Sequence, residues 1–277
     1  MKKILSIVLL LLLPATQLFA WGPKGHQIVG DIARAHLNDV ARQGIVALLG
    51  NDDLAAVANW ADDVKGERRE SYGWHFVDIR GDSSGFSQAR DCYQPNEKFP
   101  YTLTDHHNCV VDRINMFREV LANTNAPRQD RVEALKFLVH FVGDIHQPLH
   151  AIDEARGGND IHVVEFGSAL CGTRPCNLHY EWDIGLLEHT GRSEGEYVSY
   201  LERIIAANHL SEKAGGTAED WANESFAAAR QVMLKDGGAV DDAYYQANIG
   251  IVDQRLALGG LRLARLLNET LGNAQAH

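Results

Sequence analysis

The chain has 277 residues, with 37 acidic against 26 basic side chains and a formal charge of −11. Such an acidic surface argues against a nucleic-acid binder held by a broad basic face. Phosphodiester chemistry would need a local positive field, supplied by divalent cations in a cleft.

The first twenty residues combine a basic start at Lys2 and Lys3, an apolar run from Ile4 to Leu13 and a small residue, Ala20, before Trp21. That pattern predicts a secretory leader over residues 1–20, with Leu18 tolerated three residues before the cut. The apolar run is too short to span a bilayer, and Pro14, Thr16 and Gln17 interrupt its continuation. The expected mature domain, 21–277, keeps 277 − 20 = 257 residues and loses two lysines, which takes the charge to −13. It would be secreted or periplasmic and long enough to bury one core.

Apolar residues recur at helical spacing over Ile28 to Leu37, Val40 to Leu49, Val111 to Leu121, Val132 to Phe141, Tyr197 to Ala207, Trp221 to Leu234 and Tyr244 to Leu271. Asp130 and Thr217 are expected N-caps, and Gly50, Gly215 and Gly272 expected stops. Ile161, Val163, Val164 and Phe166 suggest a short strand in a small β-hairpin. Ser83 to Pro100 reads as a loop. No repeat or Pro/Ser linker divides the chain. The fold class is therefore mainly α, a single domain of packed helices with long loops and a small hairpin.

Cys92, Cys109, Cys171 and Cys176 are an even set in an exported chain, which predicts disulfides rather than thiolate ligands. Three connectivities exist, and nearest-neighbour pairing, Cys92 with Cys109 and Cys171 with Cys176, is the expected one. Any metal would then rest mainly on His and Asp, which suits catalytic zinc better than a closed thiolate site.

The chemistry concentrates in the run from His140 to His150. On a helix, His140 and Asp144 project only about 40° apart, so an imidazole and a carboxylate can grip one ion. His179 and Asp183 repeat the spacing. A single such pair is usually a capped or solvated polar pair. Here Leu138, Val139, Phe141, Val142 and Ile145 imply a helix buried on most sides, where unpartnered polar groups are costly. His150 just past Pro148 adds a third imidazole. Near Trp21, a freed α-amine and its own carbonyl can chelate a metal, with His26 close enough to complete the site. The competing reading is that Trp21 packs and His26 starts a helix. Asp62, in Trp60-Ala61-Asp62, and His75, in Trp74-His75-Phe76-Val77-Asp78, are further candidates.

In this order the motifs Trp-Gly-x-x-Gly-His, Trp-Ala-Asp, His-Phe-x-Asp, His-Phe-x-Gly-Asp-x-x-Gln-Pro-x-His, Gly-Gly-Asn and His-x-x-x-Asp resemble the secreted zinc-dependent type I nucleases. Those are single-strand nucleases and 3′-nucleotidases of the mung-bean-nuclease kind. Each motif alone is weak, but six in one order are specific. The resemblance runs from Trp21 to at least Asp183, and the C-terminal helices fit that family's mainly α, phospholipase C/nuclease-like fold.

The resemblance implies three zinc ions. Asp62, His75, His140 and Asp144 would hold one, and His150, His179 and Asp183 a second. The third would take the Trp21 amine and carbonyl, His26 and the other oxygen of Asp144, making Asp144 a bridge. A bridging water would have its pKa pulled from near 16 toward about 7 and would attack phosphorus in line. Products would carry 5′-phosphate and 3′-hydroxyl ends, and single-stranded DNA, RNA and 3′-nucleotides would be substrates of a monomer without membrane span or obligate protein partner. Lys65 stands where relatives carry a basic residue, often Arg, that steadies the phosphate; a solvated surface lysine is the bland alternative. Asn159 after Gly157-Gly158 would contact substrate, although a turn entering the strand also explains it. Phe76 and Asp78 would stack and hydrogen-bond a base, with Phe76 in the core as the competing reading. Asp160 replaces a basic residue found in some relatives, which leaves the base or phosphate preference open.

His36, His189, His209 and His277 lie in no motif, and His106, His107, His146 and His162 read as surface or supporting groups. Two rivals remain at this stage. Zinc phospholipase C shares the initial Trp and the His-x-x-x-Asp helix, but characteristically has Glu where Asp183 stands and lacks the Gly-Gly-Asn motif. A non-enzymatic zinc-binding protein would be expected to close its metal shells.

Overall fold

A computed structural model of the chain describes residues 21–92 and 108–273. The expected leader, His106, His107, His277 and the Ser83–Pro100 loop beyond Cys92 lie outside the described residues.

The chain opens with α1 (Pro23–Ala35), where proline at the first turn sacrifices no helical hydrogen bond. In α2 (Asp39–Leu49) the Asn38 side chain accepts from Ala41 N at 2.8 Å, and Gly50 ends the helix at φ 72°. Short turns α3 (Leu54–Val57) and α4 (Trp60–Asp63), then a 3-10 turn (Arg69–His75) and α5 (Gln88–Asp91), carry the chain to α6 (Val110–Ala122) and α7 (Arg128–Asp144). A 3-10 turn at Pro148–Ala151 follows α7 directly. Next come β1 (Val163–Glu165), β2 (Leu170–Cys171), β3 (Arg174–Pro175), α8 (Leu178–Tyr180), a π-helical turn (Glu181–Gly185) and α9 (Leu186–His189). The chain finishes through α10 (Glu194–Ala207), α11 (Ala218–Val232), β4 (Gly238–Val240) and α12 (Asp242–Asn273).

The mainly α expectation holds, and all seven periodic segments are helical. Four local expectations change. α7 begins at Arg128 behind Pro127, so Asp130 lies within its first turn and does not cap it. α12 continues through Asn273, so Gly272 is not a stop. Gly215 follows a 3-10 turn (Leu210–Lys213), three residues before α11, and α10 has already ended at Ala207. The strand at 163–165 exists, but its ladder partner is β4, in parallel register from Val163 opposite Gly238 to Glu165 opposite Val240. The hairpin is the separate pair β2–β3. Parallel pairing across more than seventy residues leaves no local signal, because its turn chemistry is spread over the intervening helices. Thr217 does cap α11, in a reciprocal box with Asp220.

α7 is the axis of the molecule. From Phe137 to Asp144 every residue is buried, with α1, α6 and α12 packed against it. Phe117 stacks on Phe137 at 4.6 Å between centroids, Phe137 on Phe141 at 5.2 Å, and Trp74 meets Phe137 edge-on. This aromatic wall braces the helix that carries His140 and Asp144. The chain leaving α7 is fixed by polar contacts. Ser225 Oγ donates to Ile145 O at 2.5 Å, Arg255 Nε to His146 O at 3.2 Å, and Arg262 to His146 Nε2 at 3.0 Å. His146 is therefore a buried packing residue between α7 and α12, not a surface group. Its Nδ1 donates to Val142 O.

Cys92 is bonded to Cys109 and Cys171 to Cys176, the expected pairing. Disulfides of this kind persist in oxidising compartments.

Candidate metal centre and substrate cleft

Of the nine residues called as ligands from sequence, eight offer a side chain, and these eight come from six stretches of chain and converge. His26 comes from α1, Asp62 from α4, His75 from the 3-10 turn before it leaves for Val77, His140 and Asp144 from α7, His150 from the turn after Pro148, and His179 and Asp183 from the α8 and π segment. All eight are buried. Trp21 is fully buried as well, and Gly22 N donates to Asp183 O at 2.8 Å, which docks the start of α1 on the π turn.

The ligand atoms form three groups, each with atoms within 4.8 Å of one another: His26, Asp62 and His140; His75, His140 and Asp144; His150, His179 and Asp183. Asp144 divides its carboxylate among three neighbouring rings. Oδ2 lies 3.0 Å from His75 Nδ1 and 3.4 Å from His140 Nε2, while Oδ1 lies 3.4 Å from His26 Nε2. His26 reaches this position because residue 143 is glycine. A Cβ there would stand 2.7 Å from His26 Nδ1, and the His26 ring instead lies stacked on His140 at 3.8 Å.

Backbone carbonyls fix the tautomers. His140 Nδ1 donates to Ala58 O at 2.7 Å, His150 Nδ1 to His75 O at 2.8 Å and His179 Nδ1 to Gly157 O at 2.7 Å. In each case Nε2 is left as the free lone pair facing the cluster. Gln147 Nε2 donates to Asp183 Oδ1 at 2.6 Å while its Oε1 accepts from Leu149 N at 2.5 Å, so one amide sets the pose of a carboxylate. Sequence reasoning quoted Gln147 within the motif and gave it no role; its place beside a proline and a histidine carries no signal for a partner 36 residues away.

Many of these atoms lack any hydrogen-bond partner: both nitrogens of His26, Oδ2 of Asp62, Nε2 of His75, His140 and His150, and Oδ1 of Asp144. Buried polar atoms are normally paired, so a cluster of orphaned imidazole nitrogens and carboxylate oxygens is a set of donors awaiting a cation. Most titration directions agree; His140 is the exception, held above the ordinary histidine range, against its burial, by the neighbouring carboxylates of Asp144 and Asp62. Burial holds His26, His75 and His150 well below the ordinary histidine range and His179 down to about 4, so these rings are neutral donors at physiological pH. Burial likewise pushes Asp144 up to about 8 and Asp183 well above the usual carboxylate range, the cost of carboxylates without a bound cation. All-N/O donors of this kind fit zinc. A fourth group, Glu165, Cys171, Cys176 and Glu181, has both sulfurs tied in the disulfide and so offers no thiolate.

Three rings of the cluster, His75, His150 and His179, line an open cleft. Its walls carry Lys65, Phe76, Asp78 and Asn159, all four substrate residues expected from sequence. Lys65 is not a solvated surface lysine. It is 6% exposed, with Nζ 2.5 Å from Asp62 Oδ1. Phe76 and Asp78 are half-buried and alternate with buried Val77 and Ile79 along an extended segment, so neither belongs to the core. Val77 N donates to His150 O at 2.8 Å, pinning that segment beside the metal groups. Tyr72 and Arg156 also line the cleft, and sequence reasoning missed both.

Asn159 follows four consecutive residues with positive φ, Ala155 at 47°, Arg156 at 54°, Gly157 at 61° and Gly158 at 79°. Glycine adopts this conformation freely, but Ala155 and Arg156 each cost about 1 kcal/mol or more. Backbone hydrogen bonds from Gly158 to Glu154 and from Asp160 to Ala155 hold the left-handed turn. Its product is the Gly157 carbonyl aimed at His179.

The chain matches the S1/P1 Nuclease family over residues 21–272. It is 30% identical to Endonuclease 2 of Arabidopsis thaliana, with 96% of each chain aligned. It is 29% identical to Nuclease S1 of Aspergillus oryzae, covering 97% of this chain and 98% of the relative, and 26% identical to Nuclease P1 of Penicillium citrinum, covering 91% and 98%. A match that begins at Trp21 and takes in every metal group and cleft wall described above means that this chain belongs to the S1/P1 nuclease family, hydrolases of nucleic-acid phosphodiester bonds.

Proposed function

We propose that the protein is an exported, zinc-dependent endonuclease of single-stranded DNA and RNA with 3′-nucleotidase activity, working from Trp21 onward as its first residue. The observation that carries this reading is the set of buried, orphaned ligand atoms on the floor of a cleft whose walls offer a cation, an aromatic face and amide donors. Asp62, His75, His140 and Asp144 would hold one ion, His150, His179 and Asp183 a second, and Trp21 and His26 with Asp144 a third. Zinc bound there would supply Lewis acidity, making a nucleophile available near neutral pH and offsetting charge on the departing 3′-oxygen.

The protein's own groups place the substrate. Phe76 offers its exposed face to a base, and stacking accepts every base. Asp78, two residues on and on the same side, accepts from base N–H groups. Asn159 Nδ2 spends one hydrogen on Arg156 O at 2.9 Å and keeps the second for a phosphate oxygen. Lys65 opposes charge building on the phosphoryl oxygens from its buried position beside Asp62. Cleavage on the 3′-oxygen side leaves 5′-phosphate products.

The test is hydrolysis of labelled single-stranded DNA by protein starting at Trp21, beside phosphatidylcholine, with and without a zinc chelator. Chelator-sensitive cleavage with 5′-phosphate ends is expected. Headgroup release from lipid without DNA cleavage would move the reading to a phospholipase C, and zinc retention without turnover of either would leave a binding protein.

A further inference from the structure

We propose that Arg156 binds a second substrate phosphate, adjacent to the one being cleaved, so that the cleft favours a polynucleotide over an isolated phosphodiester. This rests on the nuclease reading above. Two cations line the cleft, Lys65 and Arg156, and they are placed differently. The Lys65 ammonium is sunk at the floor against Asp62. Arg156 stands at the rim with its side chain 61% exposed, and its NH1 donates to Asp160 Oδ1 at 3.1 Å, where Asp160 is itself 53% exposed.

An ion pair this open to water is held weakly and exchanges readily. A phosphodiester presents two charged oxygens to the guanidinium fork and competes well for it. Asp160 thus occupies, in the free protein, the position a phosphate takes in the complex.

The backbone sets the distance from the ions. Gly157 O accepts from His179 Nδ1 at 2.7 Å, so Arg156 is one residue from an atom bonded to a ring of the metal groups. Its own amide donates to Asp153 O at 3.0 Å, and its carbonyl accepts from both Asn159 N and Asn159 Nδ2. The backbone is fixed in its left-handed turn while the long side chain remains free to swing along the rim. A strand whose scissile phosphate lies over the histidines must leave the cleft past this residue, where the next phosphate meets the arginine. In a chain of charge −11, a cation at the cleft wall is also a local exception to long-range repulsion.

The experiment compares three dinucleotides that each contain one phosphodiester bond: TpT, pTpT and TpTp. Initial rates of diester cleavage are read for zinc-loaded parent, Arg156→Ala, Arg156→Lys and Asp160→Asn, with zinc content and melting checked for each. In the parent, one of the two terminal phosphates is expected to lower KM about tenfold with little change in kcat. Arg156→Ala should remove most of that advantage, Arg156→Lys should keep part of it, and Asp160→Asn should enlarge it. Equal kcat/KM for all three substrates in the parent, or an advantage that survives in Arg156→Ala, overturns the assignment. Failure of the zinc-loaded parent to cleave any of the three would instead overturn the nuclease reading, and this inference with it.

Discussion

Replacing Asp144 with Asn preserves volume and removes one charge, and the consequences should have opposite signs with and without metal. Asp144 directs one oxygen toward His26 and the other toward His75 and His140, the placement that the proposed three-ion reading uses as a bridge. An amide offers a single neutral oxygen, so both ions that share the residue lose a ligand. Metal content measured by mass spectrometry after dialysis should fall by two ions per chain, with the His150, His179 and Asp183 ion retained. In the chelated protein, burial raises the Asp144 carboxyl to about 8 from an ordinary 3.8. Between those values the folded chain holds a proton that the unfolded chain releases, so stability falls as pH rises, by about 1.4 kcal/mol per unit. At pH 7 the cost is at most about 4 kcal/mol, and Asn does not carry it. Chelated Asp144→Asn should therefore melt above chelated parent at pH 7, by up to roughly 10 °C. The difference should shrink as pH falls toward 3.8 and vanish below it, where the folded and the unfolded parent alike hold the proton. Zinc-loaded variant should melt below zinc-loaded parent. Loss of only one ion, or destabilisation of equal size in both metal states, would refute the bridging role.

Gly143→Ala should gain up to about 1 kcal/mol of helix propensity yet displace His26, because the new methyl stands 2.7 Å from its Nδ1; metal counting should show the His26 ion lost and the other two kept. Gln147→Leu removes the donor to Asp183 Oδ1, and chelator competition should find zinc held about 10–100-fold more weakly at the His150, His179 and Asp183 set.

Sequence by itself determined the long helices and the types of candidate ligand, and it favoured, among three connectivities, the disulfide pairing that the structure shows. Periodicity reports which face of a segment is buried, and α7 showed a helix apolar almost all round with His140 and Asp144 embedded in it, a combination whose cost demands a partner. Local spacing also joined His140 to Asp144 and His179 to Asp183, since four residues along a helical turn are one contact apart. The ordered motifs supplied the remaining ligands and the four wall residues. Only the tertiary structure decided what depends on distant segments. It placed His26 against Asp144 across the gap left by Gly143, and set Gln147 on Asp183. It paired β1 with β4, decided for Lys65 the buried position beside Asp62 over the solvated-surface alternative, and carried Arg156 to the rim on a left-handed turn. The physical reason is common to all of these. Each depends on the approach of two backbones far apart in sequence, and neither hydrophobic period nor residue type records which segment will lie opposite until the core has packed.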